Sequence, residues 1–420
     1  MNEQLSEIRT DIVVVGGGLA GLTAARLLQV AGARTVLVEP HGLGGRGATD
    51  DRHGFLFNRG PHALYLAGHA RRVFDQLGVA LLGGAPGGPA AGLRGETMGA
   101  LPAGAASLAR TTLLGLKGKV AFGRLMARLP KIATAPLAGI TFADWLDQHQ
   151  LPDDAREVVE AIGRLSSYAN ASHLVSAEVV VSQIQLAVAG GVRYLHGGWQ
   201  TIADQLADGV PRVVAGATAM QRDGADVVVD TDAGTRVIAS AAVLAVGTPG
   251  ATAALLGREP FDVGPPIEAA CLDLGVDQPS SPSLLLGIDQ PLYLSHHCPP
   301  ARLAPAGRSV VHVAKYLAPG DATTPAEQRA ELVAHAAAAG VAPGRVLEQR
   351  YLHRMTVAAA LPTAASGGFA GRPRVGDSGV AGVFLAGDWV GPEGHLLDAS
   401  VASAEAAVGA ALSAAKLAVR

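Results

Sequence analysis

The stretch Asp11-Ile12-Val13-Val14-Val15-Gly16-Gly17-Gly18-Leu19-Ala20-Gly21-Leu22 decides the fold. Its β-branched run has the composition of a strand buried on both faces of a parallel sheet. Gly16, Gly18 and Gly21 then satisfy G-x-G-x-x-G. In that pattern the first glycine makes a tight turn, the second lets backbone approach a diphosphate, and the third lets helix pack on strand. Leu19 to Val30 predicts the helix, with Leu22, Ala25 and Leu28 on one apolar face and Arg26 and Gln29 off it. Its first residues, Leu19 and Ala20, offer free N–H groups and the positive end of the helix dipole to phosphates. A second strand, Thr35 to Val38, ends at Glu39, 18 residues beyond Gly21. A carboxylate there accepts from ribose hydroxyls and favours a 2′-hydroxyl over a 2′-phosphate. Glycines alone are weak evidence in a chain holding 54 of them, but strand, turn, helix, strand and acid in one unit specify a dinucleotide site.

Outward from this unit, 420 residues predict two domains. Apolar residues reach 49%, charged residues 16% and aromatic residues only 4%, so the cores rely on small side chains in close helix–sheet contact. A net charge of −3 argues against nucleic acid as a principal partner. The N-terminal residues carry Glu3 and Glu7 and lack a secretory pattern, so a cytoplasmic protein is expected. Val237 to Gly257 is uncharged, but Gly247-Thr248-Pro249-Gly250 interrupts it, which predicts a strand, a turn and a short helix rather than a membrane span. Gly83 to Gly104 is rich in Gly, Ala and Pro and reads as a connection or lid. Leu108 to Ala189 reads as mainly helical, Arg212 to Val246 as strands with a hairpin at Asp223-Gly224, and Pro265 to Thr363 as mixed. Val383 to Ala386 reads as a strand and Ser400 to Val419 as the last helix. Cys271 and Cys298 form no C-x-x-C pair, and His296-His297 beside Cys298 lacks further ligands at useful spacing. The doublet reads as a loop, and no metal is expected.

The fingerprint alone does not separate NAD from FAD. The continuation Glu39-Pro40-His41-Gly42-Leu43-Gly44-Gly45-Arg46 resembles the acid-then-G-G-R element of the flavin amine oxidase and phytoene desaturase superfamily, with one residue fewer between acid and glycine than is usual there. Gly54 to His62 resembles the next element of that family, which would set Gly60 and Pro61 near a flavin. Val383-Phe384-Leu385-Ala386-Gly387-Asp388 resembles its C-terminal strand and Gly-Asp pair. Leu396-Leu397-Asp398-Ala399-Ser400 would then start the last helix, with backbone of Leu396, Leu397 and Ala399 toward the flavin. Gly197-Gly198-Trp199-Gln200 resembles the middle cofactor segment, and Ala217 in the following strand is a candidate for adenine contact. The resemblance implies FAD and an α/β fold. A Rossmann-like FAD-binding domain would come from residues 1–82, 195–262 and 375–420, and a mixed-sheet plus helical substrate domain from residues 83–194 and 263–374. Arg46 is suited to neutralise phosphate and Asp388 to accept from a sugar hydroxyl. No second strand-linked fingerprint exists, so the electron acceptor is left open.

The same resemblance implies where a substrate would sit. Ala270, in Pro265 to Leu272, matches the place of the amine oxidases' lysine, while Met355 and His395 match their aromatic cage. These departures favour the phytoene desaturase side, with hydride passing from a largely apolar, lipophilic small molecule to the flavin. An amine oxidase or protoporphyrinogen oxidase-like enzyme is the first alternative, and a non-enzymatic prenyl-binding carrier on the same fold the second. His395 and His62 are the candidate proton acceptors, against the plainer reading that both shape the pocket. Lys315 is read as an exposed strand residue. From Met98 to Ala143, Arg110, Lys117, Lys119, Arg124, Arg128 and Lys131 interleave with leucines and no acid. That pattern fits an ordinary solvated helix face or a peripheral contact with the inner face of a membrane.

Overall fold

The computed structural model describes residues 6–416. The opening strand runs from Ser6 to Val15, longer than its apolar run, and the helix from Leu19 to Val30. Leu22, Ala25 and Leu28 are fully buried, as the three-residue spacing requires. The strand pairs in parallel with Thr35–Val38 on one side and Thr235–Leu244 on the other, at the centre of a seven-stranded sheet. Arg212–Val213 extends one edge, and the hairpin Ala217–Asp223 with Asp226–Thr231 extends the other. Val383–Leu385 joins Thr235–Leu244 in parallel, so residues from both ends and the middle of the chain build one sheet. The helices Leu19–Val30 and Leu397–Ala414 share a core on one face of it. The uncharged stretch from Val237 forms a buried strand end followed by the helix Pro249–Leu255. Among the described residues no helix is long and apolar enough to cross a membrane.

A second seven-stranded sheet runs in the order Val346–Ala358, Ile267–Val276, Ser309–Leu317, Leu292–His296, Leu284–Gly287, Ala90–Arg94, Thr97–Ala100. Side chains alternate between its faces. Ala270, Leu272 and Leu274 pack with Leu332 and Ala336 of the helix Pro325–Ala338 on one face. The opposite face contributes Ala314, Tyr316 and Tyr293 to a core made with the helices Leu116–Arg128, Phe142–Gln148, Asp153–Ser167 and Ala177–Gly190. That face and the glycine turn of the first sheet bound the large cavity described below.

Three sequence expectations need correction. Gly83 to Gly104 is not a lid: Ala90–Arg94 and Thr97–Ala100 form an antiparallel hairpin that completes the second sheet, with Ala90–Arg94 parallel to Leu284–Gly287. Its glycines serve packing, since a Cβ on Gly92 would stand 2.7 Å from Leu113. His296 is not in a loop but ends the strand Leu292–His296, with His297 buried directly after it. The last helix starts at Leu397, within the Leu396–Ser400 segment that the resemblance gave and three residues before the Ser400 read from composition, directly after the turn in which Gly394 and Leu396 take positive φ. The part of the expected helix beyond residue 416 lies outside the described residues.

Candidate active site

The glycine turn is sterically determined. Gly16 sits at φ +109°, and a Cβ there would lie 2.4 Å from the Ala245 carbonyl oxygen. At Gly21 a Cβ would lie 1.9 Å from the Gly16 carbonyl oxygen, so only hydrogen fits between helix and strand. Gly18 differs: no atom stands within 4 Å of a Cβ built on it. The space opposite Gly18 belongs to a cavity of about 930 Å³, near the upper end of the range for small-molecule sites. The helix after it has no side-chain cap, so the first N–H groups, including those of Leu19 and Ala20, are left for a ligand. Glu39 is held by two backbone donors, Gly17 N–H to Oε2 at 2.7 Å and His41 N–H to Oε1 at 2.8 Å, which fixes its carboxylate beside the turn.

The expected cofactor residues converge on this one cavity. Gly16, Gly18, Leu19, Ala20, Glu39 and Pro40 line its first part, with Ala217 across from them. Gly45, Arg46, Pro61, Gly387, Asp388, Leu396 and Leu397 line the next. Arg46 donates to Asp388 through Nη1 (2.5 Å) and Nη2 (3.0 Å) and to the Val357 carbonyl at 3.1 Å. Asp388 also accepts from Ala359 N–H at 3.1 Å. Leu396 stands at φ +53°, a conformation costly for a branched side chain, and turns the start of the helix Leu397–Ala414 toward the cavity. Two helix N-termini, a fixed carboxylate at the end of the second strand, an arginine and an open backbone turn form a donor set that fits a dinucleotide such as FAD. Gly21, Gly60 and Ala399 stand behind the wall rather than in it. Gly60 earns its place through contact, since a Cβ there would be 2.2 Å from Met355 Cε.

Of the candidates for a substrate site, Met355, His62 and His395 line the cavity and Ala270 does not. Ala270 packs under the helix Pro325–Ala338, because the two-residue period of its strand turns it away while Ala269 and Cys271 face inward. His395 is buried; its Nε2 bonds the Ser167 carbonyl at 3.0 Å and its Nδ1 has no partner. Burial lowers its pKa to about 4, against the Ser167 hydrogen bond, which opposes the shift. His62 bonds the Gly60 carbonyl through Nδ1 at 2.8 Å and meets Trp199 edge-on at 4.6 Å; burial lowers it to about 4 as well. Both rings are neutral near pH 7. Lys315 is neither exposed nor in the cavity: it is buried on the far face of its sheet and pairs with Glu331 at 2.7 Å.

Sequence reasoning missed the far half of the cavity. Tyr65, Leu165, Tyr168, Val192, Tyr194, Leu284 and Tyr293 line it, and none of them carries a charge. Tyr168 is fixed at φ +60° with its hydroxyl donating to the Pro61 carbonyl at 2.7 Å, and the Tyr65 hydroxyl donates to the Ser166 carbonyl at 3.0 Å. Burial raises the pKa of all four tyrosines, so they remain phenols. Behind this wall Cys271, Asp273 and His312 bring their ligating atoms within 4.8 Å of one another. Asp273 is already saturated by His312 at 2.5 Å, by Arg350 Nε at 2.9 Å and Nη2 at 2.5 Å, and by Cys271 at 3.1 Å. The one available sequence signal was a lone acid in a buried strand, Ala270-Cys271-Leu272-Asp273-Leu274.

Comparison with known proteins agrees with this geometry. The NAD(P)-binding Rossmann-like domain family matches residues 14–77. The chain is 31% identical over 193 residues to a carotenoid phi-ring synthase from Streptomyces griseus, covering 40% of this chain and 37% of that protein. It is 31% identical over 78 residues to a phytoene desaturase from Fusarium fujikuroi, covering 18% of this chain and 14% of that protein. The chain thus spans well under half the length of the curated relatives it matches. Among solved structures, cyclohexylamine oxidase from Brevibacterium oxydans IH-35A superposes with a TM-score of 0.72 at 17% identity, covering 97% of this chain and 99% of that one. The resemblance drawn from the glycine and Gly-Asp elements therefore holds: the chain has relatives named phytoene desaturase and carotenoid phi-ring synthase, and it shares the fold of cyclohexylamine oxidase.

Proposed function

We propose that this protein is an FAD-dependent oxidoreductase that takes a hydride from a largely apolar, uncharged small molecule and leaves a C=C or C=N bond. The observation that carries the reading is one continuous cavity, lined at one end by the glycine turn, Glu39, Arg46 and Asp388, and at the other by uncharged tyrosines and aliphatic side chains. The backbone at Gly18, Leu19 and Ala20 would hold the diphosphate, with Glu39 on the adenosine ribose. Arg46, Asp388 and the start of the helix Leu397–Ala414 would hold the remainder. A bound flavin supplies a two-electron hydride acceptor that no side chain of this protein can replace. The tyrosine and aliphatic wall excludes water and gives an apolar ligand the surface it needs. His62 and His395, both neutral and both in the cavity wall, are proposed to orient the reacting bond, with His395 Nδ1 free to accept a proton.

A carboxylate-bearing porphyrinogen is the second reading: most of the lining beyond the expected cofactor residues is tyrosine and aliphatic, and Arg59 is the one further arginine among the lining residues to meet a carboxylate. The exposed Leu116 and Val120 beside Lys117, Arg124 and Arg128 support peripheral contact with an anionic lipid surface, which suits delivery of a lipophilic substrate. The test is anaerobic bleaching of the flavin bands of the purified, FAD-loaded protein against polyenes, amines and porphyrinogens in parallel. Bleaching by polyenes alone is the expected outcome. A protein that stays colourless and refuses added FAD sinks the reading and revives the prenyl-carrier alternative.

A further inference from the structure

Behind the Gly-Asp turn lies a buried cation with no acid to match it. Arg372 is 6% exposed and directly follows the short turn Gly368–Gly371. Its Nη1 donates to the Asp388 carbonyl at 3.1 Å, and its Nη2 to the carbonyls of Glu393 at 3.1 Å and Gly394 at 2.9 Å. Its Nε is buried without a partner, and the guanidinium lies over the Phe369 ring at 5.0 Å. Among the described residues every hydrogen bond of this side chain goes to a backbone carbonyl and none to a carboxylate.

A buried guanidinium is destabilising unless an opposite charge meets it. The acids around this one are engaged elsewhere. Asp388 gives its carboxylate to Arg46 and Ala359 N–H and only its carbonyl to Arg372. Glu178 accepts from Phe369 N–H at 3.0 Å, and Asp398 accepts from Ala70 N–H at 2.8 Å, at the start of the helix His69–Gln76. Burial lowers the pKa of Arg372 to about 10, against the opposing fields of Asp388 and Glu178, so it stays charged near pH 7. The carbonyls it holds belong to the two ends of one loop. Asp388 lines the cavity, and Glu393-Gly394 leads straight into His395, Leu396 and Leu397, which line it too. Arg372 therefore stands a single hydrogen bond behind that wall.

We infer that Arg372 is the counter-charge for the reduced cofactor, so that this protein holds reduced FAD more tightly than it would without that arginine. This rests on the hydride-transfer reading above. Hydride is a proton with two electrons, so a neutral flavin ring that accepts one from substrate is reduced and gains a single negative charge. His62 and His395 are neutral near pH 7, and the charge of Arg46 is matched by Asp388. Arg372 is left as the buried, unmatched positive charge at this end. Its field acts across a water-poor wall, where screening is weak. Arg372 itself does not line the cavity, so it is a positioning residue that works through the loop it fixes and the charge it carries.

The test needs no substrate. The midpoint potential of bound FAD is measured in wild type, Arg372→Lys, Arg372→Gln and Arg372→Met, beside the affinity for oxidised FAD and the thermal unfolding of the FAD-free chains. Loss of the charge in Arg372→Gln and Arg372→Met should reduce the preference for reduced over oxidised FAD by about tenfold, a fall of about 30 mV. Arg372→Lys should keep the wild-type potential, although its ammonium lacks the planar fork that spans three carbonyls and should bind oxidised FAD more weakly. A purely structural arginine gives the other pattern: all three variants lose FAD affinity or unfold earlier at an unchanged potential, and that result overturns the inference. A potential in Arg372→Lys equal to that of Arg372→Gln overturns it as well. If the variants do not fold, wild type decides alone. Its potential should change by about 30 mV per pH unit, one proton for two electrons, down to a lower pH than that of free FAD measured alongside. Curves that steepen at the same pH overturn the inference. A chain that binds no FAD fells the function reading first, whereas one that binds FAD and bleaches with polyenes, at equal potentials in wild type and Arg372→Gln, fells only the role of Arg372.

Discussion

Arg46 and Asp388, 342 positions apart in sequence, meet in a two-point ion pair at 2.5 and 3.0 Å that ties the N-terminal glycine loop to the C-terminal Gly-Asp turn. Asp388 is 3% exposed and the Arg46 side chain 37%, so the pair is closed on its acidic side and open to the cavity on its basic side. Removing the arginine leaves a buried carboxylate whose one remaining hydrogen bond among the described residues comes from Ala359 N–H. Arg46→Met is expected to cost about 2 kcal/mol, less than the roughly 3–5 kcal/mol of a fully buried pair because the arginine is partly solvated. It should also abolish FAD retention through gel filtration. Thermal unfolding of the FAD-free protein and titration with FAD separate the two effects. An FAD affinity unchanged from wild type would show that the pair is only a structural clasp.

Two glycines of one fingerprint should respond in opposite ways to alanine. At Gly21 the added methyl has no room, and Gly21→Ala is expected to destabilise the fold by about 3 kcal/mol, the upper range for overpacking. At Gly18 the methyl meets no protein atom and φ is −74°, so Gly18→Ala should leave stability within about 0.5 kcal/mol of wild type. The same methyl projects into the space where a diphosphate would lie. FAD affinity should then fall about tenfold or more, or at least about 1.4 kcal/mol. Loss of stability without loss of binding in Gly18→Ala would mean that the turn is not the phosphate cradle.

The nucleotide half of the site was legible because its signals are local. Strand, turn and helix from Ser6 to Val30 and the acid at Glu39 follow from a few dozen consecutive residues, and the helix Leu19–Val30 was bounded correctly from its periodicity and glycines. Arg46 and Asp388 were each recognisable within a short motif, although their pairing was not. The other half was hidden because it is built across strands. Tyr194, Tyr293 and Tyr168 come from three elements with no common spacing, and the register that turns Ala270 outward and Cys271 inward is set by neighbours 40 or more residues away, such as Ala314 at Cys271. The hairpin of Ala90–Arg94 and Thr97–Ala100 was obscured by glycines that read as flexibility and act as packing.

Acid should unfold this protein earlier than its carboxylates alone would dictate. Burial lowers His395 and His296 from 6.5 to about 4 in the folded chain. Between those values the unfolded chain binds protons that the folded chain refuses, so the stability is fully present above about pH 6.5 and drains away as pH falls toward 4. Each histidine can account for on the order of 3 kcal/mol over that window. Urea midpoints measured at pH 7.5, 5.5 and 4.5 should fall steeply for wild type and less steeply for His395→Gln, which removes one of the buried histidines, His62 being another lowered to about 4. Parallel slopes for the two proteins would show that His395 is solvated in solution.

The helix Leu116–Arg128 separates the lipid-contact reading from the solvated-face reading. Leu116 is 81% and Val120 46% exposed, one turn apart, and the exposed Lys117, Arg124 and Arg128 flank them. An anionic bilayer would take the aliphatic tips into its acyl boundary and gain about 1 kcal/mol from each basic group, whereas a solvated face would show no such affinity. Co-sedimentation with vesicles containing phosphatidylserine should therefore be strong at low salt and weaken at high salt. Lys117→Glu with Arg124→Glu should reduce it by more than about tenfold, and Leu116→Ser with Val120→Ser should reduce it without changing the salt dependence. Absence of wild-type binding to such vesicles at low salt would assign this face to solvent, and the apolar substrate proposed above would then have to arrive through water or on a carrier.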